Sequence, residues 1–126
     1  MRGVFTILLV DDNPDITAVL AEILQVKGYA VHAANSGAEA LLLMREHPVD
    51  LLLTDIRMPG MNGLELSRAA RKIYPDLFII FMTAYVADDL IQQAMAEGVK
   101  TVLTKPLDMK FLLQVLSAQR GMMAND

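Results

Sequence analysis

The strongest constraint in this chain is a change of hydrophobic period, repeated along its length. Short continuous apolar runs stand at 4–10 (VFTILLV), 29–34 (YAVHAA), 49–54 (VDLLLT), 77–82 (LFIIFM) and 101–104 (TVLT). A continuous run, unlike an alternating one, predicts a strand covered on both faces, as in a parallel sheet. Between the runs the apolar residues fall at helical spacing. Ile16, Val19, Leu20, Ile23 and Leu24 form one stripe, and Leu66, Ala69, Ala70 and Ile73 another. Ala87, Leu90, Ile91, Ala94 and Met95 form a third, then Met109, Leu112, Leu113 and Leu116 a fourth. Residues 37–46 make a weaker helix, opened by Ser36 with Glu39 three residues on, the pattern of a capping box. Pro14 suits a first helical turn behind Asp12 or Asn13, and Gly28 and Gly98 suit the residue just past a helix end. Five β-α units in series imply a doubly wound parallel sheet with right-handed crossovers.

Composition narrows the function classes. A chain of 126 residues suffices for one domain with a single core. We expect that domain over residues 1–120, with a frayed tail at 121–126. The net charge of −4, with the 11 Lys and Arg scattered, argues against direct nucleic-acid binding. The absence of cysteine excludes a disulfide framework and thiolate chemistry, and suits a reducing cytoplasm. No apolar run approaches the roughly 20 residues that span a bilayer, and no signal peptide opens the chain.

In an open parallel sheet, ligands bind beyond the carboxyl ends of the strands. Asp11 and Asp12 follow the first run, Asp55 the third, Thr83 the fourth, and Lys105 with Pro106 the fifth. Each has an ordinary structural reading of its own: turn and cap for the aspartate pair, strand terminator for Asp55, helix cap for Thr83, solvated turn for Lys105. Their joint arrival on one sheet edge points to chemistry instead. Clustered carboxylates call for a hard cation such as Mg²⁺, with Mn²⁺ as an alternative, that keeps positions open for phosphate oxygens. A carboxylate can also attack phosphorus, and phosphoryl transfer then needs charge neutralisation more than covalent help. Asp11 and Asp12 would hold the ion, Asp55 would attack, and Lys105 and Thr83 would grip the transferred group.

The segments ILLVDDNPD, VDLLLTDIRMPGMNGLEL, IIFMTAY and VLTKP, with their intervals, resemble the receiver domain of two-component response regulators over residues 5–118. That resemblance implies a flavodoxin-like sheet of strand order 2-1-3-4-5 flanked by five helices. It implies Asp55 as phosphoacceptor and Asp11, Asp12, Asp55 and the Arg57 backbone carbonyl as metal ligands. It further implies a Thr83 that reorients, a phosphate-pairing Lys105 and a cis Lys105–Pro106 bond. The implied partners are a sensor histidine kinase or phosphotransfer protein, with homodimerisation through the 86–118 face as a candidate, in the cytoplasm. The implied role is a switch that promotes its own phosphorylation and dephosphorylation, not an enzyme turning over an external substrate. One departure stands out: Val102 occupies the place of a frequent switch aromatic. Arg57 and Tyr85, each two residues past a site residue, are candidate modulators that could shield the acyl phosphate.

Competing readings fit less well. A haloacid-dehalogenase-type phosphatase wants a second acid two residues after its nucleophile, where this chain offers Asn13, Pro14 and Arg57. A nucleotide-binding module wants a glycine-rich loop after the first strand, and DDNPD would repel a phosphate. A receiver-like interaction module that takes no phosphate is argued against by five intact site positions. His32 and His47 fall away from the acidic edge. Met44, Met95 and Met109 read as core filler, Met58 and Met61 as loop packing, and Arg68, Arg71 and Lys72 as a solvated helix face. The output, and whether the chain stands alone or fronts a longer regulator, are not encoded here.

Overall fold

A computed structural model describes residues 3–85 and 87–124. Five β-α units alternate as the period changes require: β1 (Thr6–Val10), α1 (Pro14–Val26), β2 (Ala30–Ala34), α2 (Gly37–Glu46), β3 (Leu51–Asp55), α3 (Gly63–Ile73), β4 (Phe78–Thr83), α4 (Asp89–Ala96), β5 (Thr101–Thr104) and α5 (Met109–Ala124). All pairings are parallel, in the order β2-β1-β3-β4-β5. The direction of winding reverses between β1 and β3, so these two strands meet at the switch point where such sheets build their sites.

Strand alternation sorts the core into two layers. Leu8, Val10, Leu52, Ile79 and Phe81 face α2, α3 and α4. Ile7, Leu9, Leu53, Ile80 and Met82 face α1 and α5. Both faces are covered, which is why the runs read as continuous rather than alternating.

Local signals set the helix ends. Asn13 caps α1 by accepting from the Asp15 N–H, with Pro14 at the first helical position. Asn62 and Glu65 close a full capping box on α3. On α2, Ser36 accepts from the Glu39 N–H as expected, but the Glu39 carboxylate reaches the Asn35 N–H, one residue before the cap. Gly28 and Gly98 hold φ of 94° and 99°, the left-handed conformation that ends their helices.

Four expectations change. The α4 stripe does not begin at Ala87: Asp88 caps the helix through the Leu90 N–H, so it starts at Asp89. Met95 is exposed, as is Val19 on α1, because no other described element covers those turns. The Arg68–Arg71 face is not simply solvated, since both arginines bond to Glu97 at the end of α4. Helix α5 continues through Gly121 to Ala124, where a frayed tail was expected, and 125–126 lie outside the described residues. The two histidines stack on each other, ring centroids 4.4 Å apart. No helix among the described residues is long and apolar enough to cross a membrane.

Candidate functional site

The sheet register gathers the expected residues at one edge. Val10 pairs with Thr54, so Asp11 leaves β1 level with Asp55 at the end of β3. Thr83 pairs with Thr104, and the Lys105 N–H donates to the Thr83 carbonyl at 2.8 Å, which seats Lys105 beside β4. The Lys105–Pro106 bond is cis, as the resemblance implies.

The Lys105 ammonium lies between two carboxylates, 2.8 Å from Asp11 Oδ2 and 3.0 Å from Asp55 Oδ2. Both acids are buried, Asp11 at 1% and Asp55 at 8% exposure, while Asp12 is exposed. Burial raises the Asp55 pKa above the ordinary carboxylate value. The hydrogen bond and charge of Lys105 oppose that rise, the Asp11 charge adds to it, and the Arg57 backbone N–H opposes it. Partial burial favours a neutral Lys105, but its bonds to Asp11 and Asp55 outweigh this, and its pKa lies above normal. Desolvation thus dominates at the acid and pairing at the base.

One carboxylate oxygen each from Asp11, Asp12 and Asp55 lie within 4.8 Å of one another. An all-oxygen, strongly anionic donor set with one exposed member matches the coordination of a hard divalent cation that keeps water or phosphate oxygens. The residues therefore fit Mg²⁺.

Thr83 is buried, and its hydroxyl is engaged locally. It donates to the Tyr85 carbonyl and accepts from the Tyr85 N–H, both at 3.0 Å. Tyr85 itself is 73% exposed and Val102 packs partly against the core. The Arg57 guanidinium is occupied elsewhere, in a bidentate pair with Asp88. Neither candidate modulator covers Asp55 in this arrangement.

Two residues of the site are not evident from the sequence. Asn35, just past β2, donates from Nδ2 to the Asp11 carbonyl at 2.8 Å and to the Thr17 hydroxyl at 3.0 Å. It thereby fixes the backbone that carries the aspartate pair. Asp88 is the other, a buried carboxylate that joins Arg57 to α4. An aspartate five residues past Thr83 reads only as a helix cap. Gly63 packs against the site from below: a Cβ there would lie 2.3 Å from the Asp55 carbonyl oxygen, so only glycine allows α3 to start so close to β3. Met58 is buried and Met61 packs against the core, consistent with loop packing.

Comparison with known proteins agrees with this geometry. Residues 7–117 match the family profile described as the response regulator receiver domain. A response regulator receiver protein of Anaeromyxobacter sp. (strain Fw109-5) is 46% identical over 108 residues, covering 86% of this chain and 45% of that protein. Sporulation initiation phosphotransferase F of Bacillus subtilis (strain 168) is 36% identical over 102 residues, covering 81% of this chain and 82% of that protein. The signal receiver domain of an HD domain-containing protein from Pseudomonas fluorescens Pf-5 superposes with a TM-score of 0.90 at 30% identity, over 98% of this chain and 100% of that one. The chain therefore spans less than half of the first of these relatives and most of the other two. With a family match over most of its length and this constellation at its switch point, the chain belongs to the response regulator receiver domains of two-component systems.

Proposed function

We propose that Asp55 accepts a phosphoryl group from a phosphohistidine on a sensor kinase or phosphotransfer protein. The observation that carries this is the Asp55 carboxylate itself, buried at the switch point and bonded to Lys105 beside Asp11. A carboxylate oxygen of Asp55 attacks phosphorus, the bond from phosphorus to the donor nitrogen breaks, and an acyl phosphate forms. Lys105 offsets charge on the phosphoryl oxygens, and Thr83 donates its hydroxyl to one of them after leaving Tyr85. Asp11, Asp12, Asp55 and the Arg57 carbonyl would hold Mg²⁺, with Mn²⁺ as a substitute. When bound, the ion neutralises charge on the carboxylates and on the incoming phosphate.

The chain in this reading is a switch, promoting its own phosphorylation and dephosphorylation rather than turning over an external substrate. Its setting is cytoplasmic, where such donors reside. Readout runs through the face built from residues 86–118, by partner binding or self-association, and requires no nucleic-acid contact by this chain. Val102 leaves that readout without an aromatic at its position on β5, so Thr83 must act through the loop that follows it.

Incubation with Mg²⁺ and acetyl phosphate, read by intact mass, tests the assignment. We expect the wild type to gain one phosphoryl group, the Asp55→Asn variant to gain none, and chelation of Mg²⁺ to suppress the gain. Equal gain by the variant would falsify Asp55 as the acceptor.

A further inference from the structure

The side chain of Arg57 is committed to a residue that the phosphorylation chemistry does not use. Its Nε donates to Asp88 Oδ2 at 2.8 Å and its Nη2 to Oδ1 at 2.7 Å, a fork-to-fork pair that tolerates little displacement. Asp88 is buried, and the same Oδ1 caps α4 through the Leu90 N–H at 2.9 Å. The backbone N–H of Asp88 donates to the Tyr85 carbonyl, which is also the acceptor of the Thr83 hydroxyl. At the other end, Arg57 stands two residues past Asp55, the last residue of β3. Arg57, Asp88, Tyr85 and Thr83 thus form one continuous run of bonds from the loop after β3, past the start of α4, to the end of β4.

We propose that the Arg57–Asp88 ion pair is a latch, with Asp88 as a positioning residue, that holds Asp88 and the start of α4 in the arrangement where Thr83 is bound to Tyr85. The inference rests on the reading of Asp55 as phosphoacceptor. For Thr83 to turn to a phosphoryl oxygen it must leave the Tyr85 carbonyl. That carbonyl also anchors the Asp88 N–H, so Asp88 moves with it and the fork on Arg57 opens. A contact present in the resting arrangement and lost in the phosphorylated one lowers the population of the second. Removing it therefore favours the phosphorylated arrangement. The Arg57 carbonyl, a proposed metal ligand, is untouched by a side-chain change.

The test uses beryllofluoride with Mg²⁺, a mimic of the phosphoryl group, on the wild type, Arg57→Gln, Asp88→Asn and the double variant. The Asp88→Asn change retains a capping side chain, so α4 keeps its start. Affinity is read by fluorine resonance, and the amide resonances of residues 87–91 are read without the probe. Each single variant should bind about three- to tenfold tighter, the range expected for loss of a modest coupling. The double variant should bind no tighter than the better single, because both remove one interaction. Before any probe is added, the amides of 87–91 should move along the line that joins the free and bound wild-type spectra. A merely structural pair would change the unfolding midpoint without that movement. Unchanged or weaker binding in both singles, or fully additive tightening, overturns the latch. If the wild type takes no probe and Asp55→Asn behaves identically, the reading of Asp55 fails and the latch goes with it.

Discussion

The two halves of the site are built on different principles. Asp55 shares the strand alternation of Leu51 and Leu53, which face α1 and α5, and Lys105 continues that of Leu103. Thr83 continues the alternation of Ile79 and Phe81, which face α3 and α4. In the first half, Asp11 and Asp55 stand at the ends of the central strands β1 and β3 and are bonded to Lys105, with the Asp11 carbonyl braced by Asn35. The second leads into α4, whose eight residues bury only Ile91 and Ala94 in the core. Polar ties stand in for packing there: Arg57 to Asp88 at its start, Arg68 and Arg71 to Glu97 at its end. Apolar burial is non-directional, whereas these ties depend on the geometry of a few polar groups, each with at least one partner open to solvent. On the proposed reading, the first half holds the phosphoryl group and the second responds to it.

Damage to the holding half should be the more costly. A Gly63→Ala change drives a Cβ to 2.3 Å from the Asp55 carbonyl oxygen and 2.8 Å from the Ile56 Cα, both backbone atoms with no freedom to swing aside. The start of α3 and the end of β3 must separate. We expect a loss of about 3 kcal/mol or more, the upper end for overpacking in a core, read as the urea midpoint. A loss under about 1 kcal/mol would show that the edge beneath Asp55 yields as readily as α4.

Lys105→Met should have the next largest effect, and it carries a pH signature. Without the ammonium, Asp11 and Asp55 face each other with no counter-charge, and the Asp55 pKa, already raised by burial, rises further. An acid whose folded pKa lies above its unfolded value is most favourable to folding when protonated. Stability then falls as pH rises from the unfolded pKa through the folded one, and the penalty is fully present above both. The variant should match wild type near pH 4 and fall below it by about 1 to 2 kcal/mol at pH 7, a figure reduced from a fully buried pair because the Lys105 side chain is 24% exposed. Mg²⁺ at pH 7 should recover part of the loss. A gap independent of pH and of Mg²⁺ would mean that packing of the lysine stem, not charge, matters there.

What was legible in the sequence follows the same division. The period changes mark where strands end, and in a parallel sheet those ends define the site, so Asp11, Asp12, Asp55, Thr83 and Lys105 could be read as one edge. Their burial and the Lys105 bridge follow from the register. Partners set by the approach of separate loops left no such trace. Asn35 to Asp11 spans 24 residues and Arg57 to Asp88 spans 31, and neither pair has a spacing rule. Helical stripes mislead where a turn has no neighbour to cover it, as at Met95 and Val19, because periodicity reports which face is apolar and not whether anything lies against it. The basic face of α3 reads as solvated for a related reason. Its partner, Glu97, belongs to the end of another helix.

That pair offers the finest test of the contrast. Arg68 forks onto Glu97, with Nε 2.9 Å from Oε1, and both side chains are substantially exposed. The Glu97 pKa is lowered by this hydrogen bond and the Arg68 pKa is raised by it, so both groups are charged near neutral pH. Solvent screening leaves such a pair little weight in global stability. Arg68→Ala should therefore leave the urea midpoint unchanged while speeding amide hydrogen exchange in α4, several-fold at Gln92 to Ala96, with exchange in β3 and β4 unaffected. High salt should reproduce the effect in the wild type, because it weakens exposed pairs first. Equal acceleration in β4 would mean that α4 and the sheet open as one unit. The responding half would then not be separable from the holding one, and Thr83 could not move without disturbing the edge that carries Asp55.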